Sequence, residues 1–228
     1  MVLERINGPE DLKGLTKEER DTLAREMREN LIQRASLHMG HVGPDLGFVE
    51  ATIALHTVFD APEDQIVFDV SHQTYPHKML TGRKEAYMDP EYYDDVGPYT
   101  DPKESPYDLY SIGHTSTSVD LAIGMAKARD ILGGKEHVVG IIGDGSLSGG
   151  MALEGLNVAG EMESPLILVL NDNNQSIAEN HGGMYKKLTE LRETNGEAKD
   201  NIFRGMGLEY LYEGNGNDVE SLVQIFEK

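Results

Sequence analysis

Residues 138–180 read VVGIIGDGSLSGGMALEGLNVAGEMESPLILVLNDNNQSIAEN and decide the fold class. Two apolar runs, 138–142 and 166–170, each end in a turn rich in oxygen-bearing residues, Gly143-Asp144-Gly145 and Asn171-Asp172-Asn173-Asn174. Between them, a helical stretch starting near Leu147 supplies a crossover long enough to join parallel strands. Both turns should then emerge at one carboxyl edge, where open α/β sheets bind ligands. Asp144 and Asn173 would offer a carboxylate and an amide oxygen there. Magnesium accepts such sparse oxygen ligation and completes its shell with water and substrate phosphates. A magnesium-diphosphate site is the chemistry that this pattern implies.

The same glycines approximate a dinucleotide fingerprint. The spacing of Gly143, Gly145 and Gly149 is GxGxxxG, however, not GxGxxG. Asp144 would also set a negative charge beside a pyrophosphate, which makes sense only with a cation between them.

The rest of the chain fits an alternating α/β order, a mostly parallel sheet with helices on both faces. Thr16 and Glu19 have capping-box spacing ahead of a helix over 18–37. The segment 40–47, GHVGPDLG, is too rich in Gly and Pro for regular structure and leads into an apolar helix over 46–59. A buried strand is expected over 65–70, a surface excursion over 83–110 whose tyrosines read as a solvated loop in preference to an active-site cover or subunit contact, and a helix over 116–132. Beyond Asn180, a helical piece reaches Arg192, a short strand is expected over 208–212, and a helix closes the chain from Asp218. Leu222, Val223 and Phe226 still run at helical spacing at Lys228, so a longer natural polypeptide is expected. Met79, Met125 and Met151 read as packing residues. His56, inside the apolar helix, reads as a packing or interface residue.

Twenty Lys and Arg against 40 Asp and Glu give a formal charge of −20, which argues against a nucleic-acid or anionic-membrane partner. The absence of cysteine excludes disulfides, thiolate catalysis and Cys-ligated zinc. The five-residue apolar run 166–170 is far too short to span a bilayer, and a soluble, cytoplasmic protein is the expectation.

Five stretches, in order, are GHVGPDLGFVEATIALHTVF, FDVSHQTYPHKMLTGR, SIGHTSTSVDLAIGMAKA, GDGSLSGGMALEGLNVAG and NDNNQSIAEN. They resemble successive motifs of the 1-deoxy-D-xylulose-5-phosphate synthase family, which belongs to the transketolase-like thiamine diphosphate enzymes. The resemblance runs from about Asp11 onward. It implies that 1–228 is a single domain, the amino-terminal diphosphate-binding domain of such an enzyme. The implied cofactors are thiamine diphosphate and Mg2+. The implied reaction condenses pyruvate with glyceraldehyde 3-phosphate and releases CO2. The implied assembly is a homodimer of the complete enzyme, or pairing with a pyrimidine-binding domain.

By resemblance, Asp144 and Asn173 are side-chain Mg2+ ligands and the Gln175 carbonyl is a third. Gly145 and Ser146 form the diphosphate turn. His72, Gly113, His114 and Thr115 surround the cofactor. His41 stands near the reactive thiazolium carbon, where an imidazole suits proton relay. Family members usually have Met at the position of Gln175, and the stretch from Asn180 to Gly207 looks shorter than in a typical bacterial synthase. The family's catalytic glutamate falls outside this chain. A transketolase-like enzyme with another donor or acceptor, a non-catalytic assembly subunit and a nucleotide-binding domain remain the competing readings.

Overall fold

The computed structural model describes residues 1–176 and 178–228, and the chain forms two compact units. One comprises Met1–Glu63, Ser71–Gly113 and Asn215–Lys228; the other comprises Asp64–Val70 and His114–Gly214.

The second unit holds a parallel sheet of β1 (Gln65–Phe68), β2 (Val138–Gly143) and β3 (Ile167–Asn171), in that spatial order. Phe68 pairs with Ile141, and Gly143 with Asn171. The strands therefore finish at nearly one level, and each is followed directly by an aspartate: Asp69, Asp144 and Asp172. The central strand is a buried run of Val, Ile and Gly, as a strand covered on both faces should be. Gly140 belongs to that packing, because a β-carbon there would lie 3.0 Å from both Ala122 Cβ and Leu168 Cδ2. A helix over Ser118–Leu132 packs on β2 through Ala122 and Ala126, and a second, Gly150–Ala159, packs against the first. The fold class is α/β with a parallel sheet, as the alternation predicts.

In the first unit, the helix Lys17–Leu37 starts at the predicted capping box. Thr16 Oγ1 accepts from Glu19 N–H at 3.2 Å, and Glu19 Oε2 accepts from Thr16 N–H at 3.0 Å. The apolar helix Val49–Val58 is buried along most of its length and packs on the closing helix Val219–Phe226, which Asp218 caps.

Several expectations need correction. The segment GHVGPDLG contains one helical turn, Gly43–Leu46, because Pro44 is well suited to a first helical turn. The helix expected from Leu147 is instead a single turn, Asp144–Leu147, then a break at Gly149, then Gly150–Ala159. Gly149 is required there: a β-carbon would meet Ser116 Oγ at 1.9 Å. The strand expected over 208–212 does not form. Its aromatic residues dock sideways, Tyr210 stacking on Phe203 at 5.3 Å and Tyr212 covering Gly196. Met79 is buried and Met125 partly so, but Met151 is half exposed.

The largest correction concerns 83–110. Tyr87 and Tyr93 are buried, along with Thr100, Ser105 and Asp108. Loop composition misled because these tyrosines pack around a charge. The Arg34 guanidinium lies 5.0–5.4 Å from the ring centroids of Tyr75, Tyr87 and Tyr93, a cation–π cage.

Candidate functional site

The sheet's carboxyl edge presents three aspartates in different circumstances. Asp69 is a cap. Its Oδ2 accepts from Ser116 N–H at 2.9 Å, and its Oδ1 accepts from Thr117 and Ser118 N–H at 2.7 and 3.0 Å. It thus fixes the turn His114-Thr115 that enters the following helix. Ser116 holds φ 67°, a conformation that a non-glycine residue adopts at a cost of about 1–3 kcal/mol. Its hydroxyl donates to Ser146 O at 2.6 Å. His114, Thr115, Gly145 and Ser146 are therefore joined in one unit through Ser116. Asp69→Ala would leave three amides without their acceptor. A loss of about 2–4 kcal/mol in urea unfolding is expected, with Asp69→Asn recovering part of it.

Asp144 is the chemically unusual one. Only 4% exposed, it opens the one-turn helix after β2 and accepts at Oδ2 from Asn180 Nδ2 at 2.7 Å. Burial raises its carboxyl above the ordinary range, and the negative charge of Asp172 adds to that; the Gly145 N–H and the Asn180 amide oppose it only partly. Asp172 itself is paired with Arg192, which also donates to Asn174 Oδ1 at 2.7 Å. The arginine thus serves the neighbouring turn, and among the described residues Asp144 is held by neutral donors alone. A buried carboxylate short of positive compensation fits a cation.

Asn173 and Gln175 are exposed on the turn after β3. Asn173 Oδ1 accepts from Gln175 N–H at 3.0 Å, and a carbonyl oxygen with two lone pairs can keep that bond while ligating. Among the described residues, no three His, Asp or Glu side chains converge on one point. The candidate donor set is one carboxylate supplemented by amide and carbonyl oxygens, which is magnesium-like chemistry. Gly145 allows close approach, since a β-carbon there would lie 2.9 Å from Ser176 Cβ.

The first unit carries the other predicted residues. His41 and His72 face each other edge-on, with ring centroids 5.7 Å apart. Tyr99 lies 5.3 Å and Tyr75 6.1 Å from His41, and Tyr75 Oη accepts from His41 N–H at 3.4 Å. Burial lowers the His41 imidazole below its ordinary value, opposed by a hydrogen bond to the Pro98 backbone. Neutral imidazole is the form that accepts a proton. His72 follows Val70 and Ser71, both in the left-handed region at φ 59° and 64°. For a β-branched valine that is true strain, of the kind that collects at functional turns. Gly113 packs under the Tyr99 ring, 3.7 Å from the place of a β-carbon.

His56, expected as a packing residue, is fully buried and hydrogen-bonded through Nε2 to His77 Nδ1 at 2.9 Å. Sequence reading passed over Asp69, Asn180 and Arg192. An aspartate directly after each strand was the available signal for the first; Asn180 and Arg192 had none, since only folding brings them to the turns.

The model of the amino-terminal domain of 1-deoxy-D-xylulose-5-phosphate synthase matches residues 3–201. The chain belongs to this family. It is 50% identical over 191 residues to the 1-deoxy-D-xylulose-5-phosphate synthase of Carboxydothermus hydrogenoformans, covering 84% of this chain and 31% of that protein. The corresponding protein of Desulfitobacterium hafniense strain DCB-2 is 40% identical over 263 positions, covering all of this chain and 42% of the relative. That alignment is longer than the chain's 228 residues, so the relative carries additional residues inside the matched span. The chain spans about a third to two fifths of these relatives. Among solved structures, a transketolase from Leishmania mexicana aligns over 93% of this chain and 34% of its own, with a TM-score of 0.64 and 18% identity. That likeness concerns the fold alone. No helix of the described residues is long and apolar enough to cross a membrane.

Proposed function

We propose that this chain is the cofactor-diphosphate-binding part of a synthase that condenses pyruvate with glyceraldehyde 3-phosphate, giving 1-deoxy-D-xylulose 5-phosphate and CO2. The observation that carries the reading is the buried Asp144 carboxylate at the end of the central strand, which lacks a cationic hydrogen-bond partner among the described residues. Family membership supports the reaction; the residues support the metal-diphosphate part.

Thiamine diphosphate, when bound, supplies a carbanion-stabilising centre. Asp144, the Asn173 amide and the Gln175 carbonyl would hold Mg2+, and the Gly145–Ser146 turn would receive the diphosphate. The His114–Thr115 turn, fixed by Asp69 and Ser116, would border it, with Gly113 and His72 as further cofactor neighbours. His41 would accept or return a proton as a neutral imidazole. A complete enzyme would pair this part with a pyrimidine-binding domain, as a homodimer in the cytoplasm.

Titration calorimetry separates this reading from a nucleotide-binding one. Thiamine diphosphate is expected to bind only with Mg2+, and NAD not at all. Binding of NAD without magnesium-dependent binding of thiamine diphosphate, repeated with the full-length protein, would overturn it.

A further inference from the structure

The 97–108 loop of the first unit is tied down from beneath. Asp108, whose side chain is wholly buried, has both oxygens saturated. Oδ1 accepts from Arg83 Nη2 at 2.9 Å and contacts His77 Nε2 at 3.2 Å; Oδ2 accepts from Arg83 Nη1 at 2.7 Å and from Asp101 N–H at 2.9 Å. Burial alone would raise this carboxyl, but the bonds from His77 and Arg83 hold it well below the usual range. The network continues through Arg83 to Glu104, which also receives Lys78 at 2.6 Å and the Gly97 N–H at 2.7 Å. At the loop's other margin, Thr100 N–H donates to Ser71 Oγ at 3.0 Å, and that hydroxyl donates to Ile112 O at 2.8 Å. Between these anchors lies the Tyr99 ring, packed on His41.

We propose that Asp108 is a positioning residue for His41: its buried carboxylate pins the 97–108 loop, and the loop holds the Tyr99 ring against the His41 imidazole. Asp108 acts on the loop through its backbone, accepting from the Asp101 N–H two residues beyond Tyr99. The groups facing His41 are His72, Tyr75, Tyr99 and the Pro98 carbonyl. The significance of the proposal rests on the cofactor-facing role of His41. Its test does not, since it reads His41 itself in the cofactor-free chain.

The experiment is NMR titration of the histidine ring nitrogens in the 228-residue chain, comparing the parent with Asp108→Asn. The amide puts an N–H₂ against donors and loosens the loop. With burial relieved, the His41 midpoint should move up toward the ~6.5 of a solvated imidazole. Arg20→Ala serves as a control for general loosening, since it removes the Glu220 ion pair elsewhere in the same unit and should leave His41 unmoved. If Asp108→Asn does not fold, Ser71→Ala carries the test, because it frees the Thr100 amide and should move His41 in the same direction. A folded Asp108→Asn or Ser71→Ala variant with an unchanged His41 titration overturns the proposal. So does an equal shift in Arg20→Ala.

Discussion

Asp144→Ala is expected to weaken magnesium-dependent binding of thiamine diphosphate by more than about 100-fold, the upper range for losing an outer-shell partner of a metal ligand. The cofactor-free chain should unfold at the same midpoint as the parent, or higher. The sign follows from the raised carboxyl. In the unfolded chain an aspartate titrates at about 3.9. The folded protein therefore holds this proton more tightly than the unfolded chain does. As pH rises from the unfolded value through the folded one, ionisation costs stability, and the deficit stays constant above that window. Alanine removes the deficit. Magnesium is expected to offset it in the parent, and only where Asp144 is ionised, so metal-dependent stabilisation should fade as pH falls through the raised folded value. Thermal unfolding with and without Mg2+ and cofactor reads both effects. Equal cofactor affinity in Asp144→Ala and parent would remove Asp144 from the ligand set.

Arg34→Ala should cost the first unit about 3–5 kcal/mol, from two buried carbonyls left unanswered at about 1–3 kcal/mol each and a cavity among the rings. Arg34 is 4% exposed, donates from Nε to Ala86 O at 3.1 Å and from Nη2 to Tyr93 O at 2.8 Å, and lies among three tyrosine rings. Alanine leaves both carbonyls unanswered and opens a cavity between the rings. Burial holds the nearby Asp45 carboxyl far above the ordinary range, opposed first by the Tyr75 N–H and then by the Arg34 charge. Lysine should not rescue, since a compact ammonium cannot stack flat on aromatic faces as the planar guanidinium does. The damage should extend to His41. Tyr75, one wall of the cage, sits where a β-carbon on Gly40 would be 2.8 Å from its hydroxyl, and it receives the His41 N–H. The chain has no tryptophan, so circular dichroism with urea is the suitable measurement. A loss below about 1 kcal/mol would mean that the cage contributes packing without electrostatic stabilisation.

Much of this protein was legible in one dimension. The runs ending at Gly143 and Asn171 announced parallel strands, because continuous apolar residues suit a strand covered on both faces and Gly, Asp and Asn suit the turns beyond. The capping box at Thr16 was equally readable, being a contact over three residues. The strand expected over 208–212 failed for the opposite reason. Its aromatic residues found partners in Phe203 and Gly196, and such pairings leave no local trace.

The 83–110 segment makes the same point more sharply. Asp, Glu, Pro and Tyr at loop-like spacing read as solvated surface until Arg34, some 50 residues earlier in the chain, is placed among the tyrosines and Arg83 against Asp108. A buried charge is stable only with its partners, and those partners meet only in three dimensions. Residue order was enough for the α/β class, the family and the two turns at the end of the sheet. Tertiary structure decided that Asp144 is buried without a cationic partner while Asp172 beside it has Arg192. That difference in environment, invisible in two aspartates that each follow a strand, is what makes one of them a candidate for a metal.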